Sequence, residues 1–402
     1  MAVVVPARNG SHSAARFIVL MGVVAMFGDM TYEGARGLVG PYLALLGASA
    51  TTVGFAAGLG EFLGYGLRLV SGWVGDRTRA YWPLVIAGYA LNLVAVPGLA
   101  LVGHWQAAVL LLLLERIGKA VRSPARSTLI SFAAQELGVG KGFGIEEALD
   151  QLGAVSGPLL TALAIWVMRA EPVTDQYRWA FAVLLVPVFG NLGCVLFARR
   201  QFPSPESFET QRAPEQGQLG GLFRWYVVAV MLLGLGFADW ALLAYHMTRQ
   251  GVFELGTLPL VYAGAMAVDA LAALGFGALF DLFGVSVLGV STLLSLAFVP
   301  LMFWGASRAE HVLGAVCWAI GMGAQESIFK AAIARLVDKA RRSRAYGGFY
   351  ALFGLAWWVG STFMGWLYER SLSGLVVFSV GTQLLAVPIF FYLGQRLKQV
   401  RA

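Results

Sequence analysis

Twelve apolar segments, most of them long enough to cross a bilayer as a helix, constrain this chain more than any other feature. A hydrocarbon core of roughly 30 Å takes about 20 helical residues. The segments fall near 16–46, 51–75, 82–103, 106–134, 142–168, 178–199, 222–249, 257–281, 284–305, 310–338, 344–369 and 373–397. They lack the alternating pattern of a membrane barrel, so each is read as a helix. Composition agrees. Of 402 residues 58% are hydrophobic and 13% charged, with a mean hydropathy of +0.71. That charged share is about half the usual one for a globular chain, too little to cover a water-facing surface. The fold class expected is an all-α polytopic membrane protein. Cys194 and Cys317 lie in apolar runs and His12, His104, His246 and His311 are scattered, so neither a disulfide framework nor a metal site is read from them. No cofactor is expected.

Between the sixth and seventh segments lies "RRQFPSPESFETQRAPEQGQLGG", residues 199–221, polar and nearly free of aliphatic side chains. It divides the chain into an N-terminal six-helix bundle, 1–198, and a C-terminal one, 222–402. Lys and Arg concentrate on one side of the membrane. They include Arg77, Arg79, Lys141, Arg199, Arg200, Arg212, the run from Lys339 to Arg344, and the tail Arg396, Lys398 and Arg401. Both termini and the linker are therefore expected in the cytoplasm. The net charge of +7 sits where the positive-inside rule puts it and calls for no nucleic-acid partner.

The halves echo one another. "SGWVGDRTRA" follows the second segment with Gly72 four residues before Asp76, and "FGALFD" ends the eighth with Gly277 four residues before Asp281. Asp29 in the first segment corresponds to Asp239 in the seventh. Parallel half-repeats around a midplane site are a known transporter architecture. Twelve spans as six plus six, with Gly72, Val74, Asp76 and Arg77 matching the loop pattern G-x-L-A-D-R-x-G-R-K, resemble the major facilitator superfamily. Arg79 stands where that pattern has its second glycine. In the fifth segment, "GIEEALDQLGAVSGP", Gly144, Gly153, Gly157 and Pro158 match the G-x8-G-x3-G-P motif of the family's antiporters, with Thr161 and Ala162 in place of its last two glycines. The resemblance implies two pseudo-symmetric bundles and drug/proton antiport.

Charges inside spans are costly, about 2.5–3.5 kcal/mol each at a helix centre by insertion scales. Helical spacing groups those present. Asp29, Glu33 and Arg36 share a stripe in the first span. In the fourth, Glu115, Lys119, Arg122 and Arg126 share one, with Arg116 to its side. In the fifth, Glu146, Asp150, Gly153 and Gly157 share one flanked by Glu147, and in the tenth Glu326 and Lys330 stand one turn apart. Such groups either neutralise one another and fix helix register or carry protons and substrate. Asp29, Glu33, Arg36, Arg116, Lys119, Asp239, Glu326 and Lys330 are read as coupling and cavity residues, and Gly72, Asp76, Arg77 and Asp281 as gating loops. Asp76 is expected opposite Arg344 to Gly348 at the start of span eleven. Glu146 and Asp150 are expected to pair with Arg122 or Arg126 as a gate. The small stripe at Gly153 and Gly157 is expected to bring the fifth helix close to a neighbour from the other half.

The function expected is secondary active transport, proton-coupled export of a small organic molecule by alternating access, in a prokaryotic cytoplasmic membrane and as a monomer. Proton-linked uptake of an anionic metabolite, metal-cation export and a non-transporting sensor are the alternatives. No nucleophile elbow, phosphate loop or metal-ligand cluster suggests an enzyme.

Overall fold

The structure, a computed structural model, describes residues 8–137, 139–205, 221–336 and 342–399. The described part is helical, with no strand among the described residues. The first half comprises α1 (Arg8–Leu45), α2 (Ala50–Thr78), α3 (Tyr81–Gly98), α4 (Trp105–Leu137), α5 (Val139–Val167), α6 (Val173–Ala182) and α7 (Leu185–Gln201). The second comprises α8 (Gly221–Gly236), α9 (Trp240–Arg249), α10 (Thr257–Phe283), α11 (Ser286–Ser295), α12 (Phe298–Phe303), α13 (Arg308–Leu336), α14 (Arg342–Arg370) and α15 (Leu372–Gln399).

These helices make twelve crossings, because three spans are broken: α6–α7, α8–α9 and α11–α12. Two breaks have a proline as their cause. Pro187 and Pro300 have no N–H to give the carbonyls of Val183 and Leu296, and the chain leaves the helix at those positions. The third, at Phe237–Asp239, has no proline. Its free carbonyls are served by side chains: Trp318 Nε1 donates to Ala238 O at 2.9 Å, Gln383 Nε2 to Gly236 O at 3.1 Å, and the Ser379 hydroxyl to Gly236 O as well. Asp239 then caps α9, its carboxylate accepting from Ala241 N at 2.9 Å. Broken backbone is tolerated at membrane depth only with such internal partners.

An even number of crossings puts Arg8 and Gln399 on one side, the near face; the loops at 46–49, 250–256 and 304–307 form the far face. Nine spans are long and apolar enough by composition alone. The others, α2, α4 and α14, are 29, 33 and 29 residues long, and α2 and α4 carry most of the buried bases.

Within the first bundle α1 packs on α5, and α3 and α2 on α4; within the second, α10 packs on α13 and α8 on α15. The bundles meet along α2–α14, α5–α10 and α1–α9. The α2–α14 pairing is the most regular. A Cβ at Gly365 would strike the Ala50 backbone, one at Gly54 the Ser361 backbone, one at Gly58 the Trp358 backbone and one at Gly354 the Phe62 backbone. Further towards the near face Tyr65 stacks on Tyr350, with ring centroids 5.2 Å apart, and a Cβ at Gly347 would strike Leu69. Each step along α2 is matched by an equal step back along α14, so one antiparallel register runs the length of the pair.

Candidate functional site

Glu33 lies twelve residues before the end of α1 and Asp239 ten before the end of α9. At about 1.5 Å per residue both sit roughly 15–18 Å from the far face, near the middle of the membrane. There the buried charges meet. Arg36 lies 3.5 Å from Glu33, 3.3 Å from Glu61 on α2 and 3.6 Å from Asp239 on the opposite bundle. Arg116 on α4 lies 3.1 Å from Glu61 and 3.2 Å from Glu115, and Asn92 Nδ2 donates to Glu115 at 2.8 Å. The Tyr262 hydroxyl of α10 donates to Glu33. Lys119 Nζ stands 3.7 Å above the Tyr32 ring, a cation–π contact. Asp29 is buried and makes no ion pair within 4 Å among the described residues.

The network joins the two bundles twice, through Arg36–Asp239 and Tyr262–Glu33. It borders a cavity of about 50 Å³ lined by Tyr32, Arg36, Val53, Glu115, Arg116 and Asp239. Five carboxylates (Asp29, Glu33, Glu61, Glu115 and Asp239) gather around Arg36, Arg116 and Lys119, with Arg122 acting on Asp29 and Arg68 on Glu61 from further off.

A second cluster lies nearer the near face. Arg126 stands 2.6 Å from Glu146 and 3.8 Å from Asp150. Arg122, with 1% of its surface exposed, takes no part in it; its guanidinium lies 4.3 Å from the Tyr89 ring centre. Of the two expected partners for the α5 acids, the structure brings Arg126 alone. Glu147 is exposed on the flank.

The α5 glycines differ from expectation. The helix they approach is α1 of the same bundle, since a Cβ at Gly153 would strike Met26 and one at Gly157 would strike Met30 and Gly34. Gly144 faces open space. The motif's spacing sets how closely a helix packs, not which helix it meets, because every neighbour in a bundle offers a groove.

At the near face Gly72 and Asp76 line a cavity of about 400 Å³ with Arg68, Pro124, Tyr346 and Gly347. Asp76 thus shares a cavity with the first turns of α14; the side chain of Arg344 lies outside the described residues, as do those of Lys330, Lys141 and the 206–220 part of the linker. Arg77 lies 5.5 Å over the Trp73 ring. Arg79 closes α2 in the left-handed region, φ 54°, ψ 19°, the conformation a glycine adopts most easily. Asp281 is exposed near the end of α10. The far face is closed: Thr51 N and Oγ1 donate to Glu369 at 3.1 and 2.9 Å, and Tyr245 OH to Ala48 O at 3.4 Å, both across the bundle seam.

Glu61 and Glu115 complete the network, and Tyr262 and Asn92 were not singled out from the sequence. A tyrosine in an apolar run carries no signal of its own. Glu61 does carry one and, with Arg68, is read from the sequence among the charges buried in the second span.

Twelve crossings in two bundles, meeting on a buried, charged, mid-depth site, define a multi-pass membrane transporter. The sequence profile of the Major Facilitator Superfamily matches residues 18–284, and the chain belongs to that family; it is a transporter and not an enzyme. It is 40% identical over 386 residues to an uncharacterised protein of Mycobacterium tuberculosis, covering 94% of this chain and 93% of the other. It is 29% identical over 191 residues to an uncharacterised MFS-type transporter of Methanocaldococcus jannaschii, 47% of this chain and 46% of that one. Among solved structures it superposes on a peptide transporter in complex with sulfate with a TM-score of 0.75, at 14% identity over 97% of this chain and 98% of that one. A bacterial homologue of the lysosomal transporter Spinster, inward-facing and unoccupied, gives 0.71 at 13% identity, over 96% of this chain and 98% of that one. These likenesses concern the fold.

Proposed function

We propose that the protein is a proton-coupled secondary transporter that exports a small organic molecule by alternating access, with residues 1–198 and 222–402 as the moving bundles and 199–221 as their cytoplasmic linker. The supporting observation is the Arg36 hub. It holds Glu33 and Glu61 of its own bundle and Asp239 of the other, so rocking the bundles apart at the far face breaks an ion pair and the Tyr262–Glu33 bond together. A carboxylate that loses its cation in a low dielectric takes a proton. Opening to one side therefore changes the proton affinity of Asp239, which loses Arg36, and of Glu33, which loses the Tyr262 hydroxyl, and with them that of Asp29 one turn from Glu33; closing reverses it. The near face is the cytoplasmic side, by the basic residues there, and the membrane is a prokaryotic cytoplasmic membrane.

The pairing of Arg36 and Arg116 with carboxylates leaves neither free for an anion and favours a proton with a neutral or cationic cargo. Metal export has less support: among the described residues no group of three or more His, Cys, Asp or Glu is arranged to hold an ion. One coupled proton moving through 100 mV is worth about 2.3 kcal/mol, roughly a fifty-fold gradient.

The test begins with a thermal-shift screen of the purified protein, in which a ligand at 100 times its Kd stabilises by about 2.7 kcal/mol. A hit is then loaded into proteoliposomes and its efflux driven by an imposed pH gradient. Glu33→Gln and Asp29→Asn are expected to uncouple efflux from the gradient while sparing substrate-for-substrate exchange. Full gradient-driven efflux in both single variants and the double variant would refute the midplane coupling site.

A further inference from the structure

We propose that Asp269, on α10 of the C-terminal bundle, is a second proton-binding site of the transporter, loaded from the near face past Glu326 and Glu147. The inference rests on the proton-coupled reading above for its role in transport, but not for its chemistry.

The half-repeat extends beyond the loop motifs. Asp269 stands 208 residues after Glu61, Glu326 stands 211 after Glu115, and Lys330 stands 211 after Lys119. The helices agree, for α10 packs on α13 as α2 packs on α4. In the first bundle Glu61 is paired twice, with Arg36 and Arg116. The positions that match those arginines, at offsets of 210 and 211, are His246 and Ser327. His246 is engaged elsewhere, with Nδ1 at 2.9 Å from the Tyr368 hydroxyl, and the Ser327 hydroxyl is turned back to Gly323 O at 2.9 Å. The second bundle has kept the acid of this pairing and lost its arginines.

Asp269 has 3% of its surface exposed, and its Oδ1 has no hydrogen-bond partner. It sits where α10 and α13 touch: a Cβ at Gly323 would strike its carbonyl. Among the described residues the largest charge effects at it come from Glu326 of α13, Glu33 of α1, Glu147 of α5 and Arg36 of α1, three acids and one base. Arg36 is spent on three other carboxylates. α11 contributes no charge. Lys330, one turn beyond Glu326, and Arg335 follow on α13 towards the near face, with their side chains outside the described residues; Arg308, Glu310 and His311 lie at its far end. A carboxylate in such a place is far costlier than a carboxylic acid, which suits Asp269 to bind and release a proton. Glu326 and Glu147 are both exposed, one from each bundle. Glu326 lies ten residues from the near end of α13 and Glu147 eight from that of α5, against fourteen for Asp269 on α10, so both acids stand at a depth between it and the near face. The step is a proton transfer: an O–H bond of a hydronium ion or of the protonated Glu326 carboxyl breaks as the O–H bond at Asp269 forms, leaving water or the Glu326 carboxylate, and the reverse step restores it.

Infrared difference spectroscopy of the full chain in lipid, titrated with acid and base without substrate or gradient, tests this directly. The probe is the proton itself, read from the carbonyl stretch of protonated carboxyl groups. The expected result is one protonated-carboxyl band that titrates in the wild type, is absent in Asp269→Asn, and returns at a shifted frequency in Asp269→Glu. Glu326→Gln is expected to keep the band and slow its deuterium exchange several-fold. If Asp269→Asn fails to fold, loss of the shift in Asp269→Glu decides the matter, since a band unmoved by that change belongs to another acid. An unchanged spectrum in Asp269→Asn overturns the proposal. So does a band abolished by sodium but not by an equal concentration of choline, which would make the site a sodium site. A failure of the midplane test with this band intact would refute the coupling scheme and leave Asp269 as a proton site.

Discussion

Replacing Gly54 by valine probes the seam on which alternating access depends. Gly54 lies in the far half of α2, and a Cβ there would strike the Ser361 backbone of α14, an atom that no rotamer change moves aside. Overpacking of a well-fitted contact costs about 1–3 kcal/mol. The intrinsic helix preference of valine over glycine adds nothing to the conformational balance, because α2 is helical whether the far face is open or shut. The whole penalty therefore falls on the closed state and raises the far-open population about 5- to 150-fold, with the backbone contact favouring the upper part of that range. The assay is a single cysteine at Leu43, which lines the midplane cavity and is buried on the far side, in a Cys194→Ser, Cys317→Ser background. Labelling by an impermeant maleimide from the far side is expected to accelerate by that factor. Gly153→Val is the control. It imposes a similar clash between α5 and Met26 of α1, inside one bundle, and is expected to lower the melting temperature without speeding the label. A folded Gly54→Val protein that labels at the parental rate would refute the view that α2–α14 parts at the far face.

Glu369→Gln weakens the two bonds from Thr51 across the same seam; at about 1 kcal/mol for a net hydrogen bond it is expected to speed Leu43→Cys labelling roughly five-fold, and an unchanged rate would remove the clasp from the gate. Arg126→Gln strands Glu146, which is buried, and is expected to destabilise by about 3–5 kcal/mol, with Glu146→Gln in the same chain restoring much of the loss; thermal melts read both, and a double variant no better than the single would mean that the pair is not what holds α4 to α5. Ser379→Ala combined with Gln383→Leu leaves Gly236 O in the broken seventh span without its donors, and is expected to cost about 1–3 kcal/mol; a melt equal to the parent's would show that the break has other support.

The spans were legible because bilayer thickness and the 1.5 Å rise translate directly into segment length. Span five, read at 142–168, is α5 at Val139–Val167. The breaks were less legible. Proline is tolerated inside α1, α3, α4, α5 and α15, so Pro187 and Pro300 do not announce themselves, and the Phe237–Asp239 break depends on donors from α13 and α15, over 70 residues away. The site was half visible. Arg36 and Glu33 share a helix face, and spacing alone joins them. Spacing within one helix says nothing about the angle at which another approaches, so the convergence of Glu61, Asp239 and Tyr262 on that pair, the choice of Arg126 over Arg122, and the packing of Gly153 on α1 all awaited the tertiary arrangement.

The cavity beside Arg36 and Arg116 has a consequence for what the empty protein does when it is not working. The Thr51–Glu369 and Tyr245–Ala48 bonds seal it from the far side, and a closed seam interrupts the file of waters along which a proton hops. The far half of the molecule is thus an electrical insulator. A cell holding many copies of this protein would keep its membrane potential between turnovers.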